Sequence, residues 1–129
     1  MNKQIIKNML HDVIENPELN ESLIRSYFSE DYIQQVDGKT LDFNDFFLHM
    51  SALKKSTKEL SLTIESIAAE DDVVFTRHFV SGTTVDNKKG KSMVIAEFRI
   101  RNGKIYYCNE LTHMSKGDES MRDLGSRLE

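Results

Sequence analysis

From Lys3 to Glu15 the apolar residues Ile5, Ile6, Met9, Leu10, Val13 and Ile14 recur with a period near 3.6, which predicts a helix with one greasy face. Asn16-Pro17 ends it, because proline disfavours the helical conformation at the residue before it. Asn20 is placed to cap a second short helix whose Leu23, Ile24, Tyr27 and Phe28 share a face. Asp31 to Val36 reads as a short strand. Thr40 or Asp42 then caps a third helix, with Phe43, Phe46, Phe47, Met50 and Leu53 spaced at i, i+3, i+4, i+7 and i+10.

From Glu59 onward the period changes to two. Leu60, Leu62 and Ile64 alternate with Ser61, Thr63 and Glu65, Asp71-Asp72 marks a turn, and Val73 to Thr84 is a long strand. The polar loop "VDNKKGK" leads into Lys91 to Arg101, and Lys104 to His113 completes four successive antiparallel strands. Helices first and strands afterwards predict an α+β fold. The pattern gives a single domain over residues 1–114 followed by a polar tail, residues 115–129, whose final Leu128-Glu129 is set aside as a vector-derived addition.

Asn102-Gly103 between alternating strands is the favoured composition of a two-residue type I′ turn, which fixes register. Continued without a break, that register sets Phe98 opposite Tyr107, Ala96 opposite Asn109 and Val94 opposite Leu111. The face carrying these residues is the greasier one and is predicted to pack on the helices. Tyr107 and Asn109 then point inward, whereas Cys108 and Glu110 point outward. A single β-bulge would reverse this, turning Glu110 in and Asn109 out. On the preceding strand, Arg77 belongs on the face of Glu97, where a cross-strand pair avoids burying an unpaired guanidinium; His78 is therefore inward. The outer face keeps Phe75, Phe79, Met93, Ile95 and Tyr106, enough apolar area to call for a second subunit.

Composition narrows the function classes. With 39% hydrophobic and 29% charged residues the 129-residue chain is an ordinary globular protein, and a net charge of -4 gives no basic footprint for nucleic acid. No apolar run approaches a membrane span. The single Cys108 cannot form an internal disulfide, which points to a cytoplasmic setting. The histidines at 11, 49, 78 and 113 lack ligand-like spacing, and no Walker loop, dinucleotide fingerprint or nucleophile elbow occurs. No metal or cofactor is called for.

Four stretches in order, "SEDYIQQVDG" after two helices, the Phe-rich third helix, "VVFTRHFVSGTT", and "FRIRNGKI", make nearly the whole chain resemble the nuclear transport factor 2-like superfamily, and its SnoaL-like bacterial group in particular. The resemblance implies a cone-shaped curved antiparallel sheet wrapped around three N-terminal helices, with a pocket at one end and a homodimer through the outer sheet face. It also implies that Tyr32 and Gln35 lie near the pocket mouth. Gln35 stands where many relatives have a histidine, and Ala96 at about the position of the acid-base aspartate of the cyclases. Neither can move a proton at neutral pH.

The candidate chemistry follows from these placements. His78 is the candidate catalytic group, since imidazole both accepts and donates a proton near neutrality. The bland alternative is a hydrogen-bonded core histidine. Tyr107 and Asn109 are candidates to hold a carbonyl or enolate oxygen, Phe46 and Met50 to line the cavity wall, and Glu110, if a bulge turns it inward, to act as a base of raised pKa. Phe46 and Met50 serve equally as core. Two readings stand: a proton-transferring enzyme of the isomerase or cyclase kind acting on a small, mostly apolar ligand, and a non-catalytic binding or carrier protein. A protein-interaction subunit using the sheet face is a third.

Overall fold

The computed structural model describes residues 1–117; the polar tail beyond them lies outside the described residues. Three helical elements precede most of the sheet. The first predicted helix is in fact two pieces, α1 (Asn2–Met9) and a π-helical continuation (Leu10–Glu15), and they keep Ile6, Met9, Leu10 and Val13 buried. The Lys54 ammonium donates to the carbonyls of Val13 (2.7 Å), Ile14 and Asn16 and so satisfies the end of this π segment. Asn20 caps α2 (Glu21–Tyr27) through its side-chain oxygen on Leu23 N, as its position predicts. Asp42, not Thr40, caps α3 (Phe43–Ser56), in a reciprocal capping box with Asp45.

Six strands form one sheet in the order β2-β1-β6-β5-β4-β3. They are β1 (Phe28–Val36), β2 (Lys39–Asp42), β3 (Thr57–Glu70), β4 (Val73–Thr84), β5 (Lys89–Arg101) and β6 (Lys104–Gly117). The entry strand β1 begins earlier than its alternation suggests, and the sequence pattern did not signal the short β2. All pairings are antiparallel except β1 with β6, which run parallel. The tight hairpins fall where the turn chemistry puts them: Asn102 (φ 53°) and Gly103 (φ 78°) both take the left-handed conformation of a type I′ turn. Asp37 and Gly38 do the same between β1 and β2.

Bulges curve this sheet around the helices. One decides which face of β6 is the inside. Arg101 pairs with Lys104 and Ile100 with Ile105, but Arg99 then pairs with Tyr107, leaving Tyr106 as the extra residue. Beyond it Phe98 faces Cys108, Ala96 faces Glu110 and Val94 faces Thr112, so the unbroken register expected from the turn is wrong by one residue. The guanidinium of Arg101 lies 4.5 Å from the Tyr106 ring and that of Arg99 5.7 Å from the Tyr107 ring. Two adjacent tyrosines thus lie under cations of the facing strand, each contact contributing about 0.5–1 kcal/mol at an exposed site.

The α+β cone is therefore present: helices on the concave side of the sheet, with a core in which Ile6, Val36, Val74 and Ile105 are fully excluded from solvent. Each such side chain contributes about 1.5–3 kcal/mol. Among the described residues no helix is long and apolar enough to cross a membrane.

Candidate functional site

Between the helices and the concave sheet face lies a cavity of about 110 Å³. That is room for several waters or for a small organic molecule. Its walls are mainly apolar. Phe46 and Met50 reach it from α3, Phe28 and Tyr32 from β1, and Phe98 from β5. Phe28, Tyr32 and Phe46 interlock, with ring centroids 4.7 to 5.2 Å apart.

A short polar chain runs along one side. The Tyr32 hydroxyl donates to Gln34 Oε1 at 2.9 Å, Gln34 Nε2 donates to Glu110 Oε1 at 3.3 Å, and the Cys108 thiol donates to Glu110 Oε2 at 3.8 Å. Burial, reinforced by the negative charge of Asp37 and partly offset by the Cys108 thiol, pushes the Glu110 carboxyl up to about 7. Asp37 is itself held by the backbone N–H and the hydroxyl of Thr112. Burial also raises the Tyr32 hydroxyl and the Cys108 thiol well above their ordinary values, so both remain protonated at neutral pH.

His78 lines the cavity from β4, 3% exposed, with Nδ1 2.9 Å from the Thr76 hydroxyl. Burial lowers its pKa to about 4, so the imidazole is neutral at pH 7. Glu110 and His78 stand two strands and two residues apart, about 12 Å at the backbone, and both point into the same concavity. At neutral pH the cavity therefore holds a carboxyl poised between its two charge states and a neutral imidazole. His49, on the buried stripe of α3, also lines it. Among the described residues no group of three or more His, Cys, Asp or Glu could hold a metal ion.

Several expected placements are corrected. Tyr107 and Asn109 lie on the outer face, because the Tyr106 bulge turns every later residue of β6 over; Cys108, expected outside, is inside and 1% exposed. Gln35 points away from the cavity and accepts from the Thr40 hydroxyl at 3.0 Å. Its neighbour Gln34 is the residue inside, a position that period-two spacing from Tyr32 could have identified. Arg77 is outward and His78 inward, but the carboxylate of Glu97 goes to Arg99 Nε at 2.7 Å instead of to Arg77. Phe46, Met50, Tyr32 and His78 do meet at one cavity.

The His78 environment has a measurable consequence. Its folded pKa lies below the ordinary 6.5, so the folded state favours the neutral ring: this stability is present above pH 6.5 and lost as pH falls through 4. Glu110 works in the opposite sense over an overlapping window, and in the parent the two slopes largely cancel. Replacing His78 by Gln should leave a protein that gains about 2–3 kcal/mol between pH 7 and pH 4.5 relative to its parent, read from urea unfolding. Parallel pH profiles for variant and parent would show that the ring is not held neutral by burial.

Comparison with known proteins bears on the whole arrangement. The profile of the SnoaL-like domain matches residues 12–108. An uncharacterised protein of Schizosaccharomyces pombe is 29% identical over 103 residues, 80% of this chain and 79% of that protein. Among solved structures, AclR of Streptomyces galilaeus, provisionally assigned as a hydroxylase, superposes with a TM-score of 0.75 at 20% identity, covering 99% of this chain and 87% of that one. IdmH of Streptomyces antibioticus, provisionally assigned as a polyketide cyclase, gives 0.74 at 14% identity over 87% of this chain and 91% of that one. At such identities the likeness establishes the nuclear transport factor 2-like fold alone.

Proposed function

We propose, for a chain that belongs to the SnoaL-like domain family, that the cavity binds a small, mostly apolar molecule bearing a carbonyl group and moves a proton at the carbon beside it. The observation that carries this reading is the Glu110 carboxyl, held by Gln34 and Cys108 on the wall of an apolar, molecule-sized cavity where burial raises its pKa. Glu110 takes the proton from carbon and returns it. The neutral His78 ring donates to the oxygen that becomes negative, since an N–H that costs no charge of its own suits a developing oxyanion. Glu110 pairs across β5–β6 with Ala96, so the carboxyl stands one strand over from the position where the cyclases carry theirs. Tyr32 and Gln34 orient it, and Phe46 and Met50 shape the wall.

The test does not need the natural substrate. Incubated in D₂O at pH 7 with 2-tetralone, an apolar ketone with acidic α-hydrogens, the protein should accelerate deuterium incorporation over buffer, followed by proton NMR. Saturable binding without accelerated exchange would instead make it a carrier. The single unpaired Cys108 supports a cytoplasmic setting for either role.

The second subunit belongs to the same reading. Phe75 and Ile95 are about half exposed and Leu111 is 66% exposed, all on the outer sheet face. A homodimer through this face would cover them. Replacing Ile95 and Leu111 by Glu should convert the dimer to a monomer in sedimentation velocity. A parent that sediments as a monomer at micromolar concentration would dispose of the homodimer.

A further inference from the structure

Leu60, Gly82, Gly90 and Lys91 line not only the inner cavity but also a neighbouring groove of about 820 Å³. Leu60, Gly82 and Gly90 face one another across three strands, Leu60 opposite Gly82 on β3–β4 and Gly82 opposite Gly90 on β4–β5. A Cβ added to Gly82 would come within 3.1 Å of Leu60 Cδ2, and the backbone there is not in the left-handed region that calls for glycine. What Gly82 supplies is therefore space, at the throat between two compartments.

The two ends differ in charge. The inner one holds Glu110, with Asp37 behind it. The groove is bordered by Lys54, Lys58, Lys89 and Lys91 against Glu15 and Glu59. Glu15 is already engaged, accepting from Leu62 N at 2.8 Å and lying 2.9 Å from His11 Nδ1. Lys54 is pinned on the carbonyls at the end of the π segment, where burial lowers its pKa to about 8; the Lys91 ammonium turns to the outer-face Phe79 ring at 4.7 Å, and Lys58 meets the Asn87 side chain. Along the strands, Thr76, level with Glu110, is six residues from Gly82, so the negative end and the throat are separated by about 20 Å.

We infer that the cavity is the inner half of a two-part site, and that its ligand is an apolar molecule with an anionic group that stays outside, in the lysine-bordered groove. The inference rests on the cavity being a ligand site, as proposed above, and adds the polarity and orientation of the ligand. An anion buried next to Glu110 would meet a like charge, whereas in the groove it meets an excess of ammonium groups.

Isothermal titration at pH 8, where Glu110 is mostly charged, with octanoate, octanol and octylamine separates the possibilities. Octanoate should bind about tenfold more tightly than octanol and more tightly still than octylamine. The double variant Lys58→Glu/Lys89→Glu, both positions being on the exposed surface, should lose that preference while binding octanol as the parent does. Gly82→Leu, checked for its fold by circular dichroism, should weaken octanoate and octanol alike by blocking the throat. Equal affinity for octanoate and octanol, a preference for octylamine, or a Gly82→Leu variant that binds like the parent would overturn the two-part site and leave the cavity reading standing. Failure of all three molecules to bind would overturn both.

Discussion

Replacing Glu110 by Gln is expected to give a protein that no longer accelerates α-proton exchange yet unfolds at higher urea than its parent at pH 8. The first effect follows from chemistry: an amide of the same shape still accepts from Gln34 Nε2 through its one oxygen, while its NH2 faces the Cys108 sulfur as a donor, but it cannot carry a proton, and proton transfer by a placed group is worth about 100- to 10,000-fold. The second follows from linkage. The folded pKa of about 7 lies above the ordinary 4.5, so the folded state holds this proton more tightly than the unfolded chain does. That contribution is fully present below pH 4.5 and is lost as pH rises through 7. At pH 8 the parent therefore carries a penalty of about 3–4 kcal/mol that Gln removes, since one pKa unit corresponds to about 1.4 kcal/mol. At pH 4 the two proteins should be equally stable. An unchanged exchange rate, measured with 2-tetralone by NMR, would remove Glu110 from the mechanism; equal urea midpoints at pH 8 would show that its carboxyl is not desolvated.

The second large effect is structural. Phe46→Ala should destabilise by about 3–5 kcal/mol, the usual range for deleting a buried phenyl ring. The ring is 4% exposed and packs 4.7 Å from Phe28 and 5.2 Å from Tyr32, so the substitution removes burial and two aromatic contacts together. Against a typical total of about 5–15 kcal/mol this is a large share, and for a domain of this size it should lower Tm by about 10–20 °C. The damage should also reach the site. Tyr32, released on one side, no longer holds Gln34 in line with Glu110, so exchange should fall even below Tm. Phe46→Leu keeps most of the volume and should lose less than half as much stability. A Tm drop of under 3 °C in Phe46→Ala would mean that the interlocked rings are not what braces the cavity wall.

Much of the fold was legible along the chain. The period of 3.6 in the first half, the Asn20 and Asp42 caps, the period of two after Glu59 and the Asn102-Gly103 turn each depend on neighbours within a few residues, and each element stands where those local rules put it. The short β2 escaped because four residues carry too little periodicity to register, and the π-helical continuation of α1 because its apolar face is the same as that of an α-helix. Part of the cavity was legible too. Phe46 and Met50 followed from helical spacing, and the inward His78 followed from keeping the Arg77 charge out of the core. His49 sits on the same stripe as Phe46 and Leu53 and could have been found in the same way.

By itself, the sequence determined the elements, their order, the tight turns and the concave side of most strands, because these depend on short-range sterics and on an apolar period that local spacing reveals. Only the tertiary structure decided which residues of β6 enter the cavity. Alternation specifies that successive side chains go to opposite faces but not where one extra residue is inserted, and here that residue is Tyr106, whose ring lies beside the guanidinium of Arg101. One bulge exchanged Asn109 for Glu110 and Tyr107 for Cys108. The pKa of Glu110 was likewise beyond the reach of the chain alone, because it arises first from burial in the folded core and then from the charge of Asp37, which the parallel β1–β6 pairing brings beside β6.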